Sequence, residues 1–238
     1  MLIMKRAPDF YSAYWEKAGL APIPWSKIQK NLTSSIKRQQ NLIQRIKDNG
    51  RMKWDYLVLQ SWLDVVGDVD EGYAKYVQKW AKIAEKNGIK VILYITAPHA
   101  QNAEPVNAPV GMEQTNVEMR TIQQLSGRIQ PHAVVPVALG IKKIQESGTD
   151  LKFRYVKDGH PNQYSAFLTS NMFYASFFKE STEGFNYNTV VETKDKGAGK
   201  GKDPDGGNAK VIFNNKTKTL LQKAAFDAVM EFNTGNGK

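Results

Sequence analysis

Short unbroken runs of apolar, β-prone residues alternate along this chain with amphipathic stretches that stop at turn signals, and that alternation narrows the fold more than any other feature. Tyr56-Leu57-Val58-Leu59 is the first run, ending in Gln60-Ser61-Trp62. A stretch from about Glu71 to Lys86 then carries Tyr73, Val77, Trp80 and Ala84 on one helical stripe and ends at Asn87-Gly88. Ile89 to Ile95 is the second run; a helical pattern from about Met112 to Gly127 follows, and Val134 to Leu139 is the third. Unbroken apolar runs of this length are expected of strands buried on both faces. Strands separated by helices imply a parallel sheet joined by crossovers. Pro136 marks the third strand as irregular or at an edge, because proline cannot donate to the ladder. In such sheets ligands bind beyond the carboxyl ends of the strands. Function is therefore sought at Gln60–Trp62, at Thr96–His99 and after Leu139.

The flanks are helical. Residues 1–20 read as one helix and 26–48 as another, with Ile28, Leu32, Ile36, Ile43 and Ile46 as its apolar positions and Asn49-Gly50 as its stop. A further helix begins near Pro161, which suits a first helical turn, and runs to about Phe178. A last one, around Lys216–Phe232, turns Leu221, Ala225, Ala228 and Phe232 inward. Residues 194–210 form a Gly/Lys-rich surface insertion. It lacks phosphate-loop spacing, and although Asp203, Asp205 and Asn208 hint at calcium, the EF-hand spacing and terminal Glu are missing. The expectation is one domain over residues 1–238 with a solvated loop inserted.

Composition removes whole classes of chemistry. With no cysteine among 238 residues, disulfides, thiolate metal sites and cysteine nucleophiles are excluded. The absence of cysteine leaves the compartment open. No run of about 18 apolar residues is present, so no membrane-spanning helix is expected. The net charge is +10, and the first 55 residues hold eleven Lys/Arg against four Asp/Glu, or +7 of it. Such a stretch can attract polyanions, but its cations are spread around helical turns without interleaved aromatics, so nucleic acid is not the expected partner. Three histidines are present, His99, His132 and His160. They lie in separate segments with no metal-ligand spacing, and no metal or other cofactor is expected. His99 follows a strand and is a candidate for lining a cleft; His132 precedes one, on the opposite rim, and reads as structural.

The segment richest in chemistry is Asp158-Gly159-His160-Pro161-Asn162, which leads into a helix. A carboxylate two residues from an imidazole can fix its tautomer and stabilise the imidazolium, the orienting role in acyl-transfer triads. A loop histidine that merely forms a hydrogen bond is the plainer alternative. With Ser165, Phe167, Leu168 and Ser170 behind it, this block resembles the last motif block of the SGNH (GDSL-like) hydrolases. Trp54-Asp55-Tyr56-Leu57-Val58-Leu59-Gln60 is similar to the W-D-x-V-V-L-Q strand of a bacterial branch of that superfamily, and Lys90 to Thr96 to its following strand. The resemblance spans roughly Trp25 to Phe232, apart from the insertion.

It implies a flavodoxin-like three-layer α/β/α sandwich acting on esters as an esterase or deacetylase, with acylated carbohydrate among the substrates it suggests. His160 would be the general base, Asp158 its orienting partner, and Gln60 the oxyanion donor, where otherwise Gln60 would satisfy backbone groups at the strand end. Ser61, Trp62, Thr96 and His99 are candidates for lining the cleft. Two departures stand out. Asp158 and His160 are two residues apart where the family spaces them by three. The family's Gly-Asp/Asn-Ser nucleophile motif after a first strand is absent; Ser12 lies in a helical pattern, and Ser61 lacks the Gly-flanked turn that exposes a nucleophile. The expectation is a sheet without its first strand, in a chain that begins downstream of the motif or has lost it. A signal segment upstream would make the protein periplasmic or secreted. The alternative reading is a non-catalytic binding domain that uses a basic face for an anionic polysaccharide or a nucleic acid.

Overall fold

The structure, a computed structural model of the chain, describes residues 44, 54–61, 68–96, 112–157 and 160–234. The helices expected over 1–20 and 26–48 lie outside the described residues. Contacts group Asp55–Lys238 into one compact unit, and that unit is described here. Its elements in chain order are β1 (Tyr56–Gln60), α1 (Gly72–Lys86), β2 (Lys90–Ile95), α2 (Met112–Ile129), β3 (Ala133–Pro136), α3 (Val137–Glu146), α4 (Gln163–Phe178), β4 (Thr189–Val191), β5 (Lys210–Ile212) and α5 (Asn215–Thr234). This is a mixed α/β arrangement. The first three strands form a parallel sheet in the order β1-β2-β3, and β4 pairs with β5 antiparallel. None of the described helices is long and apolar enough to cross a membrane.

β2 and β3 are buried on both faces, β3 along its whole length. Val91, Ile92, Leu93 and Ile95 are all in the core, whereas in β1 Leu57 is buried while Tyr56 and Val58 are 38% and 45% exposed. The expectation that the Tyr56–Leu59 run is covered on both faces is thus corrected. An apolar run shows that a strand is β-prone, but not how many neighbours cover it. The third strand is also shorter than its sequence suggests. It stops at Pro136, and Val137-Ala138-Leu139 opens α3. Pro136 pairs with Ile95 as the last residue in register, then serves as the N-cap with φ −87° and ψ 70°. Because both sides of that break are fully buried, apolarity alone could not reveal it.

The helices follow their stripes. In α1 the buried residues are Tyr73, Ala74, Val77, Ala81 and Ala84, with Trp80 only half-buried. Asn87 closes the helix and Gly88 takes the left-handed φ of +68° that favours glycine. Helix α5 buries Leu221, Ala225, Ala228 and Phe232 as expected and packs against α3 and α4. It is tied to α3 by the Lys143–Glu231 ion pair at 2.5 Å. In α4 the Ser176 hydroxyl donates to the Val134 carbonyl of β3 at 2.8 Å, fixing the helix against the sheet.

Helix α2 breaks the pattern. Its inward stripe continues from Leu125 and Ile122 to Glu118 and Thr115, all nearly or wholly buried. Neither Glu118 Oε2 nor Thr115 Oγ1 has a hydrogen-bond partner among the described residues. Burial alone pushes the Glu118 carboxyl up to about 8, since the charged form is the one that desolvation penalises. The folded value lies above the unfolded one, so this group's contribution is fully present below about pH 4.5 and is lost as pH rises through about 8. Urea unfolding is expected to show stability falling across that interval, with Glu118 supplying up to about 1.4 kcal/mol per pH unit. Glu118→Gln should remove that component; an unchanged slope in the variant would show that the carboxyl is not buried in its neutral form.

Candidate functional site at the carboxyl rim

Parallel pairing brings the strand ends level. Gln60 is in register with Tyr94, and Ile95 with Pro136. Register partners in a parallel sheet point to the same face, so Gln60 projects on the side of Tyr94. That side faces α4: Phe173 meets the Tyr94 ring edge-on at 5.3 Å, and Phe177 meets Tyr56 at 5.1 Å. Tyr56 is the first residue of β1, while Tyr94 is next to last in β2, so α4 runs against the strands. Its amino end, and the His160 segment before it, therefore lie toward the strands' carboxyl ends.

That segment is a small hairpin. The Tyr155 amide donates to the His160 carbonyl at 2.9 Å, the Asn162 amide donates to the Phe153 carbonyl at 3.1 Å, and Arg154 bridges Pro161 antiparallel. Asn162, not Pro161, starts the helix. Its Oδ1 accepts from the amides of Tyr164 and Ser165 at 3.0 and 3.2 Å, while its Nδ2 donates back to the Lys152 carbonyl at 2.7 Å. Pro161 thus sits one residue outside the helix, correcting its expected place in the first turn; the true cap satisfies two of the helix's orphan amides. Burial raises the Tyr94 phenol's pKa, against the opposing pull of a Thr169 hydrogen bond and the Arg154 charge. Tyr94 is therefore the residue where β1's end, α4 and the His160 hairpin come together. Gln60 and His160 are both exposed on this rim. Asp158, Trp62 and His99 lie outside the described residues.

Ser61 and Thr96 meet each other. The Ser61 amide donates to the Tyr94 carbonyl at 2.9 Å, and Ser61 Oγ accepts from the Thr96 amide at 2.9 Å and lies 3.2 Å from Thr96 Oγ1. Ser61 is wholly buried. This pair extends the β1–β2 ladder past the last register pair and offers no exposed hydroxyl at Ser61. On the opposite rim His132 directly precedes β3, its amide donating to the Val91 carbonyl at 2.7 Å and its ring lying against Tyr56 and Phe177.

The 194–210 insertion is more closely tied to the site than its composition suggests. It connects β4 to β5, a hairpin whose three-residue strands escaped the sequence reading because they are short and half-exposed. Although largely exposed, the loop is anchored. Asp205 accepts from the amides of Val156 and Lys157 at 2.9 and 2.8 Å, and Lys157 Nζ donates to the Asp205 carbonyl at 3.0 Å. Gln163 Nε2, at the start of α4, donates to the Ala209 carbonyl at 3.2 Å, and the Tyr155 hydroxyl donates to Glu192 at 3.2 Å. Burial first, then the Glu192 charge, keeps that phenol protonated. Asp203 Oδ1 accepts from the amides of Asp205 and Gly207 at 3.0 and 2.8 Å. Backbone amides thus take up the two aspartates that hint at calcium, and no group of three or more His, Asp or Glu able to hold a metal occurs among the described residues. Tyr94 and Arg154 were not singled out from the sequence, and Asp205 was noted there only as a hint of calcium, not as a partner of the His160 hairpin. A polar-tipped aromatic at the penultimate position of a buried strand was the one signal for Tyr94; the Asp205 contact joins residues nearly fifty apart and left no local trace.

Asp205→Ala should release the Val156 and Lys157 amides. Hydrogen exchange of those two is expected to accelerate while amides of β2 stay protected, with a stability loss of about 1 kcal/mol. Unchanged exchange at both positions would show that the insertion does not hold the hairpin.

No protein-family model, no curated protein and no solved structure matches this chain.

Proposed function

We propose that the Asp55–Lys238 unit is an ester-hydrolase-type domain of SGNH kind, acting on carboxylic esters such as acylated carbohydrate. The observation that carries this reading is the meeting at Tyr94. Gln60 is its register partner on the same face, and the charge of Arg154, in the hairpin that bears His160, acts on its phenol. In this reading the sheet belongs to a flavodoxin-like α/β/α sandwich whose first strand is not among the described residues. His160 takes the proton of the attacking hydroxyl and returns it to the leaving alcohol. Asp158 holds the imidazole in its productive tautomer. The Gln60 amide donates to the oxygen that becomes negative, a contact whose loss typically costs about 3 kcal/mol of barrier. The attacking group must come from beyond the rim residues described, because Ser61 is buried with its hydroxyl hydrogen-bonded.

That same burial of Ser61 favours a second reading, a binding domain that retains the cleft without turnover and uses the chain's +10 charge toward an anionic polysaccharide. Hydrolysis of p-nitrophenyl acetate separates the two. The first reading expects turnover that His160→Ala abolishes and Gln60→Ala lowers about a hundredfold in kcat with KM little changed. Absence of turnover, together with polyanion binding that weakens steeply with salt, would replace it with the second.

A further inference from the structure

At the rim opposite the candidate site, where the strands begin, a cleft of about 650 Å³ opens between the carboxyl ends of α1 and α2. Ile89, Val91 and Ile129 give it apolar wall, and its charged lining is unbalanced: Lys82, Lys90 and Arg128 with His132, against Glu85 alone. Arg128 is already held, its guanidinium donating to both oxygens of Asp70 at 2.6 and 3.3 Å and lying 3.4 Å from the Gln78 side-chain oxygen. Lys82 and Lys90 make no ion pair among the described residues. The Lys90 ammonium instead sits 5.7 Å from the centre of the Tyr56 ring.

Cations at helix carboxyl ends are ordinarily explained by the helix dipole. That accounts for Lys86 and Arg128, which lie in the last turns of α1 and α2. It does not account for Lys90 and His132, which stand at the starts of strands. The imidazole reports the local field. At a dominant helix carboxyl end it would be stabilised as a cation, but burial first, then the charges of Lys90 and Lys179, depress its pKa. The two lysine charges thus add to burial in disfavouring the imidazolium. Gln130, also in the cleft wall, has a φ of +45°, a left-handed conformation that costs a non-glycine residue energy. A concave surface with uncompensated cations and an apolar wall, of a volume typical of small-molecule sites, fits a compact, multiply charged anion better than a polymer.

We propose that this cleft binds a small phosphate-bearing ligand, with Lys82 and Lys90 neutralising its charge and His132 donating a hydrogen bond at its edge. The site is separate from the carboxyl rim and stands whether or not the ester-hydrolase reading does. The test uses the full chain and inorganic pyrophosphate, titrated calorimetrically at low salt, with citrate as a second anion and Lys223→Met, on the far helix α5, as a control. Saturable binding at one site is expected, weakened about tenfold by Lys82→Met and by Lys90→Met and unaffected by Lys223→Met. NMR titration should show the His132 imidazole pKa rising on saturation while that of His160 is unmoved. Because Lys82 is exposed on α1, its variant keeps the test valid should Lys90→Met unfold β2. No binding at about 10 mM pyrophosphate, equal weakening by Lys223→Met, or citrate binding as tightly as pyrophosphate would overturn the proposal.

Discussion

Everything positioned in this unit depends on β2, the central strand of the parallel sheet, with which both β1 and β3 pair. Parallel strands cannot pair through a tight turn, so each neighbour of β2 arrives by way of a helix, and each pairing must offset the entropy of closing that connection. The offset comes from burial of Val91, Ile92, Leu93 and Ile95, at about 1.5–3 kcal/mol for each large side chain. Once β2 is fixed, the register fixes the rest. Gln60 falls beside Tyr94, Pro136 beside Ile95, and the Ser61–Thr96 hydroxyl pair closes the end of the ladder.

The His160 hairpin is held differently, by polar groups. Asn162 caps α4 with one side-chain atom and ties back to Lys152 with another. Asp205 reaches from a distant loop to cap two amides on the hairpin's other arm. The Asp205 bonds are charge-assisted, the stronger kind, and with the neutral Asn162 clasp they hold a short segment. The Gly/Lys-rich insertion, which as sequence looks like a solvated loop, therefore acts as a brace on the segment carrying the only described histidine at the carboxyl rim.

The two rims differ in electrostatic character. At the carboxyl rim the ordered groups are Gln60, the hydrogen-bonded Ser61–Thr96 pair, and Tyr94, on whose phenol the Arg154 charge acts. At the amino rim cations gather on strand starts and helix ends, and His132 is pushed toward neutrality by burial first and then by the Lys90 and Lys179 charges.

How much was legible follows from the range of each interaction. Periodicity and turn residues marked β1, α1, β2, α2, α4 and α5 to within a few residues, because a stripe of side chains and an Asn-Gly stop are local facts. The break at Pro136 was hidden, since a buried strand running into a buried helix has no change of polarity to announce it. The β4–β5 pair was hidden because three half-exposed residues form no pattern. Among candidate site residues, the sequence by itself determined that His160 precedes a helix and that Gln60 and Ser61 end a strand. Only the tertiary structure decided that Ser61 turns inward to Thr96, that Gln60 shares a face with Tyr94, and that Asp205 grips the His160 hairpin. Those outcomes rest on register and on contacts between residues tens of positions apart, and the physical forces that set them do not act along the chain.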